Sequence, residues 1–293
     1  MIFVLSMICD TFRPANSVSV ARYAKPENIT RAFSLNRLAV NLGFSVGPAV
    51  GGFLATISYS WIFYGNAIAA GIAGIVFVIF FWNKKGNALP KAAKLDDEKP
   101  VVDRNPYRDM PFLAFSVFCC IYSVCFFQLI STLPLFYQKV HHMTEPQMGI
   151  ILGFSGFIIV VLEMFIVHLA EHRLTLVRTL VYGTLLCAIS YSMLTIQAGW
   201  TMLYISIFIL GIGEMLTLPF MATVTAERAT PNTQGAYMGL NALSFAAANI
   251  ISPYLGTRVV ASYGFDILWY GTALLLVISA IGFYYTVNRL TKS

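Results

Sequence analysis

The chain has 293 residues, of which 58% are hydrophobic and 11% charged, with a formal net charge of +6. A soluble domain of this size needs far more polar surface, so a soluble enzyme or binding module is excluded, and the mean hydropathy of +0.72 marks a membrane protein. The positive charge does not indicate a nucleic-acid partner, because the basic residues sit in short segments between apolar runs.

Nine apolar runs are long enough to cross about 30 Å of hydrocarbon as helices, the structure that satisfies every backbone group within its own segment. They are expected over 1–24, 35–57, 61–82, 111–138, 146–170, 175–196, 201–226, 234–260 and 267–288. The first carries Asp10 and Arg13 close to Met1, so no cleavable signal peptide is expected. The third runs uncharged from Trp61 to Trp82, with a tryptophan at each expected interface.

The connecting segments alternate in charge. Arg22, Lys25, Arg31 and Arg37 fall in or open onto the first loop, seven basic residues occupy 83–110, Arg173 and Arg178 follow the fifth helix, Arg228 the seventh, and Arg289 and Lys292 the last. That places 16 of the 19 basic residues on one side, against Lys139 and Arg258 on the other. The positive-inside rule then puts the C-terminus and the long loop in the cytoplasm and the N-terminus outside. The stretch 84–110, rich in Lys, Asp, Glu and Pro without apolar periodicity, reads as a cytoplasmic linker. It divides three helices (1–83) from six (111–293). Transporter halves commonly match in size, so a 3 + 6 division suggests three further helices before the first.

The second helix contains Gly43-x-x-x-Gly47-Pro48-x-x-Gly51-Gly52. Glycines four apart form a stripe along which another backbone can approach, and Pro48 removes a backbone donor and bends the helix. This segment resembles the antiporter motif in the fifth helix of the drug:proton antiporters of the major facilitator superfamily. Gly211-Ile-Gly-Glu214 with Pro219 resembles a segment of that family's tenth helix, and Gly235-Ala-Tyr237-Met238-Gly239 the start of its eleventh. The resemblance implies an all-α membrane protein of the major facilitator fold, its nine helices filling family slots four to twelve. It implies alternating access around a cavity lined by slots one, four, seven and ten. It also implies that slot eight, where Gly149, Gly153 and Gly156 share a face, packs against slot five. The family's loop motif between its second and third helices has no counterpart in this chain.

Three acids lie at membrane depth: Asp10, Glu163 and Glu214. A carboxylate there costs about 2.5 kcal/mol or more, so it must face a cavity, pair with a cation, or hold a proton. Glu214, near mid-helix between Gly211, Gly213 and Pro219, is the first candidate for proton coupling or substrate binding, and Glu163 the second. Asp10 and Arg13, three residues apart, can satisfy each other or, in slot four, bind substrate; Gln128 in slot seven is a further candidate contact. Ser244, Ala247, Ala248 and Ile251 are expected on a face of slot eleven left bare without the preceding helices.

His168-Leu-Ala-Glu171-His172 matches the zinc-ligand pattern HxxEH, but histidines at a helix C-terminus complement its dipole without a metal, and no metal site is expected. The five cysteines, all in apolar segments, read as small buried hydrophobes. The expected function is therefore secondary active transport: proton-coupled efflux of small amphipathic molecules across a bacterial inner membrane. No enzyme activity and no cofactor are expected, the energy coming from the proton gradient, and the partners are the lipid bilayer, protons and a small-molecule substrate, with the protein a monomer. Proton-coupled nutrient uptake and an inactive transporter remnant are the alternatives.

Overall fold

The computed structural model describes residues 14–82, 105–196 and 198–292. All regular structure among them is helical. A helical segment, α1 (14–23), leads through a short 3-10 turn at Pro26–Asn28 into α2 (Ile29–Ile57) and α3 (Tyr59–Trp82). Then come α4 (Met110–Ser131), α5 (Leu133–His141), α6 (Glu145–Arg173), α7 (Leu176–Met193), α8 (Gly199–Arg228), α9 (Gln234–Tyr263) and α10 (Phe265–Lys292). Six of these helices are long and apolar enough to cross a membrane, within α3, α4, α6, α7, α8 and α10.

Two expectations need correction. The helix expected over 111–138 is broken at Thr132 into α4 and α5. Pro134 has no N–H, so the carbonyl of Ile130 loses its helical donor, and the chain restarts with a proline in the first turn of α5. The second helix begins at Ile29, six residues before the expected start at 35. Arg37, expected as the third residue of that helix and opening onto the loop, therefore lies deeper in α2, about 12 Å along its axis at 1.5 Å per residue.

The chain forms two compact units, one of residues 1–39 with 103–293 and one of residues 40–102. In the smaller, α3 meets the later part of α2 at Gly65, where an added Cβ would stand 2.9 Å from Leu54 Cδ1. Elsewhere on α3, Phe63, Ile68, Ile75 and Ile79 are exposed, as on a lipid-facing helix. The expected linker 84–110 lies mostly outside the described residues.

In the larger unit, small residues let the helices approach. Membrane helices gain little from apolar burial and associate through close packing and hydrogen bonds. Gly183 on α7 and Gly213 on α8 face each other: an added Cβ at Gly213 would stand 2.5 Å from Cys187 Sγ and 2.7 Å from the Gly183 carbonyl oxygen. Further along, Ser190 Oγ donates to the Ser206 carbonyl at 2.7 Å and Ser206 Oγ returns a bond to the Ser190 carbonyl at 3.0 Å.

On α9, Ser244, Ala248, Ser252 and Gly256 recur every four residues and are buried. Ser244 Oγ donates to the Ser116 carbonyl of α4, and an added Cβ at Gly256 would stand 2.7 Å from Thr132 Oγ1. Ser244 and Ala248, expected on a bare face, are thus covered, while Ile251 is exposed. Gly282 of α10 lies directly beneath the ring of Phe118. Trp269, fully buried, stacks on Tyr191 with ring centroids 5.6 Å apart. Cys119, Cys125 and Cys187 are buried thiols and Cys120 is half-buried, as small hydrophobes would be.

One end of this unit is closed by a polar knot. Asp109, at the N-terminus of α4, accepts from Arg228 Nε of α8 at 2.8 Å and from the Tyr237 hydroxyl of α9 at 2.9 Å, and Arg228 also reaches the Leu290 carbonyl of α10. Burial pushes the Asp109 carboxyl up, but hydrogen bonds from Arg228 and Tyr237 and the guanidinium charge outweigh it and hold the group below the ordinary carboxylate range. Because the folded-state value is depressed, the stability this group contributes is complete above the unfolded value, about pH 4, and is lost as pH falls through the folded value. Asp109→Asn is expected to lower thermal stability at neutral pH and to narrow that difference on acidification below pH ~4; melting curves of both proteins across pH check it.

Candidate functional site

Glu163 and Glu214, 51 positions apart in the sequence, are brought to one cation. Arg37 Nη1 donates to Glu163 Oε1 at 3.2 Å, and Nη2 donates to Glu214 Oε2 at 3.0 Å. The side chains of Glu163 and Glu214 are 0% and 2% exposed, and that of Arg37 14%. All three belong to the larger unit.

Each helix contributes for a local reason. The Gly183–Gly213 contact fixes α8 against α7 one residue before Glu214. Ile158, Ile159 and Met215 form a small core with Phe154, Leu162 and Ile166, which packs α6 on α8 and levels Glu163 with Glu214. At Gly211 an added Cβ would meet Ile158 Cγ2 at 3.6 Å, an ordinary contact. The first part of α2 (29–39) is seated by Thr223 Oγ1 of α8 donating to Thr30 Oγ1 at 3.0 Å, and by Phe33 packing with Ala21, Ala226 and Met238.

The arrangement is unbalanced. Two carboxylates share one guanidinium, and each uses only one oxygen on it. Glu163 Oε2 and Glu214 Oε1 are buried without a partner. With both acids ionised the site carries one net negative charge away from water, an expensive state. A single proton makes it neutral. The arrangement is thus chemically suited to bind and release a proton, and its ion pairs tie the first part of α2 to α6 and α8.

Arg37 is the residue sequence reasoning missed. Two acids at membrane depth demanded a cation, and Arg37 falls inside the apolar run expected over 35–57.

The other candidates fall elsewhere. Gln128 is buried in α4, its Nε2 donating to Thr272 Oγ1 of α10 at 3.1 Å, while its Oε1 has no partner. It is not brought to Arg37 and its two acids. Asp10 and Arg13 lie outside the described residues. Gly43, Gly47, Pro48, Gly51 and Gly52 are all within α2, and an added Cβ at Gly43 meets nothing within 4 Å. In the zinc-like pattern, Arg31 meets the acid and one of the two histidines: its Nε donates to Glu171 Oε2 at 2.7 Å, and its Nη2 lies 2.7 Å from His168 Nδ1.

Comparison with known proteins agrees with this architecture. A family model described as Major Facilitator Superfamily matches residues 1–190 and 172–293. The uncharacterized MFS-type transporter YttB of Bacillus subtilis (strain 168) is 26% identical over 266 residues, covering 90% of this chain and 66% of that protein. The multidrug efflux protein YfmO of the same organism is 27% identical over 241 residues, covering 79% and 57%. The chain spans about two thirds of the length of the curated relatives it matches. Among solved structures, the human organic anion transporter MFSD10 (TETRAN) superposes with a TM-score of 0.70 at 15% identity, covering 92% of this chain and 67% of the other, which is a likeness of fold. With a family model matching along its length and apolar helices fit to cross a bilayer, the chain is a multi-pass membrane protein of the major facilitator superfamily, a family of transporters.

Proposed function

We propose that this chain, corresponding to family slots four to twelve, belongs to a proton-coupled exporter of small amphipathic molecules in a bacterial inner membrane, with its C-terminus in the cytoplasm. The observation that carries the reading is the buried pairing of two carboxylates with the single guanidinium of Arg37. The proton is the coupling ion, Glu163 and Glu214 share it, and Arg37 converts its arrival into weaker adhesion of α2 to α6 and α8. In an alternating-access cycle that adhesion is what must be made and broken as one bundle rocks against the other. The glycine–proline segment Gly43–Gly52 supports antiport, and the similarity to a multidrug efflux protein supports export.

Everted membrane vesicles test both direction and coupling. Acidifying their lumen is expected to drive accumulation of a lipophilic fluorescent cation, and Glu214→Gln is expected to reduce that accumulation at least about tenfold, the effect of removing a positioned proton-transfer group. Accumulation on alkalinising the lumen instead would indicate uptake symport.

A further inference from the structure

The seam between the first part of α2 and α6 carries a second tie, chemically unlike the buried one. Arg31 Nη2 faces His168 Nδ1 at 2.7 Å, while Arg31 Nε donates to Glu171 at 2.7 Å. The cluster is not sealed in the core: His168 is exposed, and the side chains of Arg31 and Glu171 are 32% and 15% exposed. A guanidinium has only N–H donors and keeps its charge throughout the accessible pH range. The ring nitrogen facing it is therefore the unprotonated acceptor, with the imidazole proton on Nε2.

A proton added at Nδ1 reverses this contact. The ring then turns an N–H toward N–H donors, and one cation faces another. Glu171 follows His168 by three residues on the same helix, a spacing at which side chains meet. The imidazolium competes with Arg31 for that carboxylate and satisfies it within α6, so Arg31 loses both partners at once. Among the described residues, the charged and titratable groups around His168 are Arg31 from α2 and Glu171 and His172 from α6, the two imidazole centroids being 4.3 Å apart. α8, packed along α6, places Glu214 deeper on the same seam.

We infer that His168 is a second proton-binding site, whose occupation releases the first part of α2 from α6. It is independent of the buried acids, which take part in neither contact. An accessible pair of this kind biases an equilibrium rather than locking it, so the expected population shift is about fivefold.

The test uses spin labels at Leu35→Cys on α2 and Leu169→Cys on α6, both exposed positions, in the full chain with its native cysteines replaced by alanine and reconstituted in lipid. Between about pH 7.5 and about pH 5.5, on either side of the ordinary histidine range, a longer inter-label distance is expected to gain population. His168→Gln, which still accepts from Arg31 but does not titrate, is expected to hold the short distance at both pH values. Arg31→Gln is expected to show the long distance at both. A parent distance indifferent to pH overturns the inference. So does an undiminished pH response in His168→Gln, or a response that disappears in Glu163→Gln/Glu214→Gln and persists in His168→Gln, which assigns the proton to the buried site.

Discussion

Replacing Arg37 with methionine is expected to be among the most damaging single substitutions in the chain. The guanidinium is the cation held by two acids that are 0% and 2% exposed. Without it, both must hold protons or remain charged in a low-dielectric interior. Breaking a buried ion pair by removing one partner costs on the order of 3–5 kcal/mol, because an uncompensated charge is left behind. The detergent-solubilised variant should therefore unfold at markedly lower temperature, and transport should be lost. The triple variant Arg37→Met/Glu163→Gln/Glu214→Gln separates the two losses. With no charge left to compensate, it is expected to recover most of the stability while remaining unable to couple flux to protons. A triple variant as unstable as Arg37→Met alone would show that the arginine acts through packing and not through charge.

The second large effect concerns two glycines that look alike in the sequence. Gly213→Ala is expected to destabilise the protein by at least about 3 kcal/mol, the upper part of the overpacking range, whereas Gly211→Ala is expected to be neutral or slightly stabilising. At 211 the new methyl meets Ile158 at ordinary contact distance, and alanine is about 1 kcal/mol the better helix former. At 213 it would lie 2.5 Å from Cys187 Sγ and 2.7 Å from the Gly183 carbonyl. The thiol can turn aside; the backbone oxygen cannot, so α7 and α8 must separate. Adding Cys187→Ala should therefore give little relief. Since Glu214 follows directly, Gly213→Ala should also disturb its bond to Arg37. Thermal unfolding of the three variants decides the matter, and similar melting for both alanine substitutions would contradict the packing described.

The helices were legible in the sequence wherever an apolar run met a clear polar boundary, as at Trp61–Trp82. They were less legible where polar residues continue a helix. Asn28-Ile-Thr-Arg reads as loop, yet Pro26 and the turn after it start α2 at Ile29, and that six-residue difference concealed the position of Arg37. The two acids could be singled out from the cost of charge at membrane depth. Their convergence on one arginine could not, because the partners are 126 and 177 positions apart in the chain. Local patterns carried more than was taken from them. Pro134 announced the break at Thr132, and the four-residue repeat Ser244, Ala248, Ser252, Gly256 marked the face of α9 that meets α4. The HxxEH pattern went the other way: its spacing suits zinc, while in the structure Arg31 sits against His168 and Glu171.

Arg37, Glu163 and Glu214 together are expected to hold one exchangeable proton. Infrared difference spectroscopy of the protein reconstituted in lipid, stepped between acid and alkaline pH in light and heavy water, reads that proton from the carbonyl stretch of a protonated, buried carboxyl. One such band is expected to appear on acidification, to shift in heavy water, to persist in His168→Gln, and to vanish in Glu163→Gln/Glu214→Gln. A spectrum without a titrating buried carboxyl, or a band that survives in the double variant, would contradict a proton shared by Glu163 and Glu214.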